Sequence, residues 1–210
     1  MLFLFLQNSG ADNISTYIAV LAFLVSVVAV YFSYKTAEHQ RLSTSATLLS
    51  TFTATFDSPE MCKCRKSFAE RLLDENKREQ IDLASSERVL ELFEEIAYLT
   101  RRKVLDKGMV WNHFFWFIER YYHAVTKPTN LIEKARKDQK SNTIYQEIVW
   151  LYDELGRFDI KESKVKKYIP PDGEQVEKFL LFECQLDIEN NKNTLPIIPT
   201  KTINKSKLQT

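Results

Sequence analysis

The stretch of sequence that determines the fold is residues 14–34, ISTYIAVLAFLVSVVAVYFSY. It contains no charged side chain, and at about 1.5 Å of rise per helical residue it is long enough to cross the hydrocarbon core of a bilayer. No basic segment precedes it and no small-residue cleavage site follows it, which argues against a cleavable signal peptide. We therefore predict a transmembrane helix at residues 14–34, with Tyr31, Phe32 and Tyr34 at its interfacial end.

The charges that flank this stretch predict its direction in the membrane. Lys35 and Arg41 follow it, whereas the only charged residue before it is Asp12. Because basic residues stay on the cytoplasmic side, we expect residues 1–13 to form a short extracytoplasmic segment. The rest of the chain is then expected to lie on the cytoplasmic side of the inner (plasma) membrane.

Composition restricts the class of the remaining chain. Its 29 Lys and Arg nearly balance 28 Asp and Glu, so there is no strong nucleic-acid signal. Four Gly and six Pro are too few for a turn-rich β architecture, and 14 Phe, 9 Tyr and 3 Trp supply a core for one domain. We predict an all-α protein, with one N-terminal transmembrane helix followed by a cytoplasmic helical bundle.

Apolar residues at intervals of three and four predict the helices of that bundle. We expect a helical domain at residues 35–156, a C-terminal linker and helix at 157–188, and a disordered tail at 189–210. Whether the C-terminal helix packs on the bundle is left open by its sequence.

Local residue types predict where several helices begin and end. Ser58 is suited to cap a helix that starts at Pro59, and Ser85–Ser86 to cap one at 87–104. Asn142 or Thr143 is expected to cap a later helix, and Gly156 to end it. Lys63, Arg65, Lys66 and Arg71 are expected on a solvated outer helix face.

Motifs for metal binding and catalysis are missing from the sequence. The Cys62-x-Cys64 pair has no second pair to complete a zinc site, and with Cys184 it predicts reduced thiols rather than a disulfide framework. His113 and His123, ten residues apart on one helix, are about 15 Å apart along its axis and cannot chelate one ion. No phosphate-binding loop or nucleophile motif occurs. We therefore predict no cofactor and rank an enzyme last among the candidate functions.

Three segments in order carry a resemblance to a known family. Residues 89–106 read VLELFEEIAYLTRRKVLD, residues 110–125 read VWNHFFWFIERYYHAV, and residues 131–136 read LIEKAR. Together with the N-terminal span, residues 14–155 resemble a widespread bacterial family of small membrane-anchored proteins described only as a domain of unknown function. The resemblance implies the topology and a helical fold but no reaction, and the usual turn glycine is replaced here by Lys103–Val104. The matching positions are Phe93, Glu94, Ala97, Arg102, Leu105, Asp106, Trp111, Tyr122, Ile132 and Arg136.

Two sets of residues are candidate sites. Glu94 and Arg136 both occupy matching positions, and we expect a buried ion pair between them that acts as a structural lock. Arg101, Arg102 and Lys103 are the basic residues expected at a ligand or partner surface, and Trp150 lies off the inward face of its helix, where it would mark the same kind of surface.

The sequence leaves three hypotheses for function. The first is a membrane-anchored, non-catalytic interaction or sensory module that binds a cytoplasmic protein or a second copy of itself. The second is a ligand-gated membrane effector, for example in antiphage defence, in which a small-molecule ligand binds the basic residues. The third is an enzyme that acts on membrane-proximal substrates.

Overall fold

The structure, a computed structural model, describes residues 2–74, 83–127 and 129–186, so the predicted disordered tail lies outside the described residues. The described residues contain seven helices and no strand, which confirms the all-α prediction. The helices are α1 (Leu2–Phe56), α2 (Pro59–Leu73), α3 (Leu83–Arg101), α4 (Lys107–Thr126), α5 (Leu131–Asp138), α6 (Gln146–Ser163) and α7 (Gly173–Cys184).

The chain divides into two compact units, residues 1–47 and 48–210, and α1 contributes to both. In the first unit, the large apolar side chains from Tyr17 to Tyr34 are between 51 and 75% exposed. Among the described residues, one helix segment, within Tyr17–Phe56, is long and apolar enough to cross a membrane by length and composition.

The second unit has an aromatic core built around α4. This helix packs on α3, α5, α6 and α7, in keeping with its nearly continuous apolar sequence. Phe56 at the end of α1 contacts the rings of Phe93 and Phe114, and Tyr121 stacks on Phe68. Edge-to-face and stacked ring pairs of this kind fix the positions of the helices that carry them.

Two helix starts follow their local sequence. The Ser58 hydroxyl accepts a hydrogen bond from the Met61 amide at 3.2 Å, which confirms the predicted cap before Pro59. Asp106 caps α4 in the same way, through the Met109 amide at 3.0 Å. The predicted helix at 87–104 instead begins at Leu83 and ends at Arg101, because Lys103 turns the chain with a positive φ of 60°.

The predicted bounds of α6 are wrong at both ends. Gly156 lies inside the helix, which continues to Ser163, and the ring of Tyr168 occupies the space beside it. At the other end neither Asn142 nor Thr143 caps the helix, since Tyr145 precedes it with a φ of 54° and makes no side-chain cap. The cap comes instead from Glu94 on α3, which accepts hydrogen bonds from the amides of Glu147 and Ile148.

The C-terminal helix packs on the second unit. Asp172 and Gln175 form a reciprocal capping box at the start of α7. Val176, Phe179 and Leu180 are buried, and α7 contacts α2 and α4. The segment after Gly156 is therefore part of the core of this unit.

Candidate functional site

The C-terminal end of α3 and the first turn of α6 border an open cleft of about 450 Å³. Its lining residues are Tyr98, Arg101, Arg102 and Glu147, and we call it the α3–α6 groove. The guanidinium of Arg101 pairs with Glu147 Oε1 at 2.9 Å. The second carboxylate oxygen, Oε2, is buried and has no hydrogen-bond partner among the described residues.

Aromatic rings flank both arginines of the groove. The guanidinium of Arg101 lies 5.5 Å from the centroid of the Trp150 ring, and that of Arg102 lies 5.3 Å from the centroid of Tyr98. Three predicted surface residues are thus brought together, and Lys103 follows them on the exposed turn. Tyr98 was detectable from sequence, because it lies four residues before Arg102 on one helix face.

The groove has the chemistry of an anion site with stacking surfaces. A guanidinium offers a planar fork of donors to a carboxylate or phosphate, and the half-exposed ring of Tyr98 can accept a flat group. Glu147 offsets the charge of Arg101, so the pair leaves about one net positive charge, that of Arg102. Because the Arg101–Glu147 pair is partly exposed, it adds little to stability.

Glu94 caps α6 from a distance of 53 residues in sequence. Its carboxylate accepts hydrogen bonds from the amides of Glu147 at 3.1 Å and Ile148 at 2.8 Å. Burial raises the pKa of Glu94, and these two backbone donors together with Arg136 act in the opposite direction. A carboxylate at a helix N-terminus satisfies amides that have no partner within the helix.

Arg136 holds the same segment from α5. Its Nε donates to the carbonyl of Ile144 at 3.0 Å, and its Nη1 pairs with Glu133 at 3.0 Å. The expected ion pair between Glu94 and Arg136 is not among the contacts of the described residues, and the two side chains instead bind the same backbone segment separately. Each fixes the backbone at 144–148, which positions Glu147 in the groove.

A second polar cluster, buried in the core, was placed wrongly by sequence reasoning. Arg65, expected on a solvated face, is only 3% exposed and forms two bonds to Glu183, Nε to Oε2 at 2.8 Å and Nη2 to Oε1 at 2.7 Å. Its Nη1 donates to the carbonyl of Phe56, and its guanidinium lies 3.8 Å from the Phe56 ring centroid. The Tyr121 hydroxyl donates to Glu183 Oε2 at 2.7 Å. This cluster, Arg65–Tyr121–Glu183, joins α2, α4 and α7.

Electrostatics favour the charged form of Arg65 and the neutral form of Tyr121 in this cluster. Burial alone lowers the pKa of Arg65, but the bonds to Glu183 outweigh it and raise that pKa above its usual value. Burial raises the pKa of Tyr121 well above its ordinary value, so its hydroxyl stays protonated and donates. No local pattern identifies these partners, because 118 residues separate Arg65 from Glu183.

A chain of polar side chains crosses from α4 to α6. His123 Nε2 lies 2.8 Å from the Tyr152 hydroxyl, and Tyr168 donates to Glu119. Burial holds the pKa of His123 below its usual value, with a smaller contribution from Lys127. His123 is thus a buried, neutral hydrogen-bonding residue near pH 7.

The described residues contain no group of three or more His, Cys, Asp or Glu placed to hold a metal ion. Cys62 is buried, Cys64 and Cys184 are partly buried, and these three residues form no disulfide with one another. Burial raises the pKa of Cys184, which keeps this thiol protonated.

Comparison with known proteins gives one match. A family model described as "Domain of unknown function (DUF4760)" matches residues 16–155. No curated protein and no solved structure matches the chain. The α3–α6 groove lies wholly inside the matched range, whereas Glu183 and α7 lie beyond it.

Proposed function

The chain belongs to the family described as Domain of unknown function (DUF4760), and from that premise and the geometry of its residues we propose that it is a membrane-anchored, non-catalytic interaction module. In this proposal α1 crosses the membrane, residues 1–13 lie outside, and the helical unit is held on the cytoplasmic side. Its α3–α6 groove receives the partner.

The observation that carries the proposal is the exposure of the apolar stretch in α1. From Tyr17 to Tyr34 every large hydrophobic side chain is at least half exposed, on all sides of the helix. Water does not favour such a surface, whereas the hydrocarbon core of a bilayer accommodates it over this length. Lys35 and Arg41, at the C-terminal end of the stretch, favour a cytoplasmic position for the helical unit.

Alkaline carbonate extraction of membranes that contain the full chain tests the anchor. We expect the wild-type chain to stay in the membrane pellet. Val25→Arg with Val28→Arg places two charges in the span, at about 2.5–3.5 kcal/mol each for insertion, and is expected to release the chain. Leu181→Arg, which adds a charge at an exposed apolar position on α7, is the matched control. Release of the wild-type chain would contradict the anchor.

The orientation of the chain in the membrane is tested separately. A membrane-impermeant maleimide added to intact cells is expected to label Ser9→Cys, since residue 9 is proposed to lie outside. Cys64 and Cys184 are expected to react only after permeabilisation. The reverse pattern would place the helical unit outside the cell.

A second candidate function, a ligand-gated effector, is favoured by one observation in the groove. Arg101, Arg102 and the ring of Tyr98 line one cleft, which suits a flat anion. A panel of nucleotides should then include one that raises the Tm of the full chain in detergent. At about 100 times its Kd such a ligand stabilises by about 2.7 kcal/mol.

Matched variants make this test specific. Arg102→Ala is expected to abolish the shift in Tm, because it removes the arginine that has no carboxylate partner in the groove. Arg157→Ala, which removes an exposed arginine on α6, is expected to leave the shift unchanged. A panel without any shift, or equal loss in both variants, would count against a ligand in the groove.

A further inference from the structure

The segment between α6 and α7 carries an unusual combination of exposed residues. Residues 164–171 read KVKKYIPP, and we call this segment the lysine loop. Lys164, Lys166 and Lys167 are exposed and the segment contains no acidic residue. Within the described part of the chain none of the three forms an ion pair. The loop therefore presents three positive charges on exposed side chains, with Glu162 and Asp172 outside its two ends.

Apolar side chains stand among these charges. Ile169 is 83% exposed and Val165 is 43% exposed. Single exposed apolar residues are common on protein surfaces. Here two of them stand among three lysines within six positions, which is the pattern of an amphiphilic surface rather than of a solvated turn.

The exposure of Ile169 is fixed by the residues on either side of it. Tyr168 points inward, where its hydroxyl donates to Glu119 and its ring lies against Gly156. Pro171 is buried. Two consecutive prolines restrict the backbone after Ile169, so its side chain cannot fold back into the core without displacing an anchored neighbour.

We propose that the lysine loop is a second membrane contact, in which Lys164, Lys166 and Lys167 bind the headgroups of anionic lipids and Ile169 enters the interface. The inference rests on the proposed anchor, because a chain held in a bilayer by α1 has a lipid surface within reach of its helical unit. Anionic lipids on the cytoplasmic leaflet attract lysines close to the surface, by about five-fold in the bound-to-free ratio for each residue. Three lysines together raise the bound-to-free ratio by about 100-fold.

Spin-label accessibility in proteoliposomes tests this contact. The full chain carries Cys64→Ser and Cys184→Ser, with a nitroxide at Ile169→Cys or, as the control, at Asn142→Cys on an exposed turn. Vesicles are made of phosphatidylcholine alone or with about 30% phosphatidylglycerol, the anionic component that the loop is proposed to recognise. Collision with a water-soluble nickel chelate measures how far each label is shielded.

We expect shielding at position 169 to increase several-fold in anionic vesicles, with no change in neutral vesicles and none at position 142. Lys164→Gln, Lys166→Gln and Lys167→Gln together, or about 0.5 M NaCl, should restore the accessibility of position 169, since salt screens the attraction. Equal accessibility of positions 169 and 142 in anionic vesicles would overturn the proposal, as would equal shielding in neutral vesicles.

Flotation of the same vesicles separates this proposal from the anchor. If the chain does not float with vesicles of either composition, the membrane anchor fails and the contact fails with it. If the chain floats with both and position 169 stays open to the nickel chelate, the anchor stands and the lysine loop is only a solvated turn.

Discussion

Replacing Glu183 by Gln removes the only carboxylate bonded to both Arg65 and Tyr121 in the described core, while keeping the shape of the side chain. Glu183 is 0% exposed and Arg65 is 3% exposed, so water cannot solvate the guanidinium. Its Nη1 keeps only a longer contact of 3.8 Å to Oδ1 of the partly exposed Asp57 among the described salt bridges. Removing one partner of a buried pair costs about 3–5 kcal/mol. For a chain of this size that corresponds to a fall in Tm of about 6–20 °C.

Urea unfolding of the full chain in a mild detergent measures this loss. Trp116 provides the readout, because its ring lies 5.2 Å from that of Phe179 on α7 and reports when α7 leaves the core. Glu177→Gln, an exposed position on the same helix, is the matched control and should change stability by less than about 0.5 kcal/mol.

The double variant separates the charge from the packing. Arg65→Met with Glu183→Gln removes both charges, so we expect it to be less destabilised than the sum of the two single variants by about 2–3 kcal/mol. A Glu183→Gln variant within about 1 kcal/mol of the wild type, or strictly additive losses in the double variant, would refute this account of the cluster.

Three other contacts give further expected outcomes. Glu94→Gln should lower the free energy of unfolding by about 1–2 kcal/mol, since an amide oxygen caps α6 less strongly than a carboxylate. Glu91→Gln, at an exposed position on the same helix, should leave the free energy of unfolding unchanged. An equal loss in both variants would contradict the cap. Because burial depresses the pKa of His123, the unfolded chain binds its proton more readily, and stability should fall as pH drops from about 7 to 5. His123→Gln should flatten that part of the profile, and an unchanged slope would exclude His123 as its source. Gly156→Ala should raise the free energy of unfolding by up to about 1 kcal/mol, because glycine inside a helix is less stable than alanine. The added Cβ would make an ordinary 3.5 Å contact with the ring of Tyr168. A destabilised variant would show that the ring cannot accept the methyl group.

Much of the fold was predictable because it depends on residues close together in sequence. The apolar periodicity located the helices, and Ser58 before Pro59 predicted the start of α2, since a cap acts over three residues. The same reasoning failed at Gly156, where a glycine suited to end a helix lies inside one. There the ring of Tyr168 packs against the glycine, a contact that no local pattern contains.

The candidate site was predicted in part for the same reason. Arg101, Arg102 and Trp150 were identified from charge and helix spacing. The structure places the two arginines in one groove, with the partly buried ring of Trp150 beside Arg101. The role of Glu94 could not be derived, because the amides that it caps lie 53 and 54 residues away. Arg65 is the clearest failure of the sequence reasoning. Its neighbours in sequence predict a surface charge, whereas its burial depends on Glu183, its partner on α7.

The distance along the chain between Arg65 and Glu183 also has a consequence for synthesis. At about 5–20 residues per second, the 118 residues between them take about 6–24 s to translate. During that interval the nascent helical unit holds an arginine whose buried partner Glu183 has not yet been made, and the faces of α2 and α4 that receive α7 stay uncovered. The newborn chain is therefore most open to aggregation and to chaperones just before α7 emerges, so a chain truncated within α6 would be unable to complete its core.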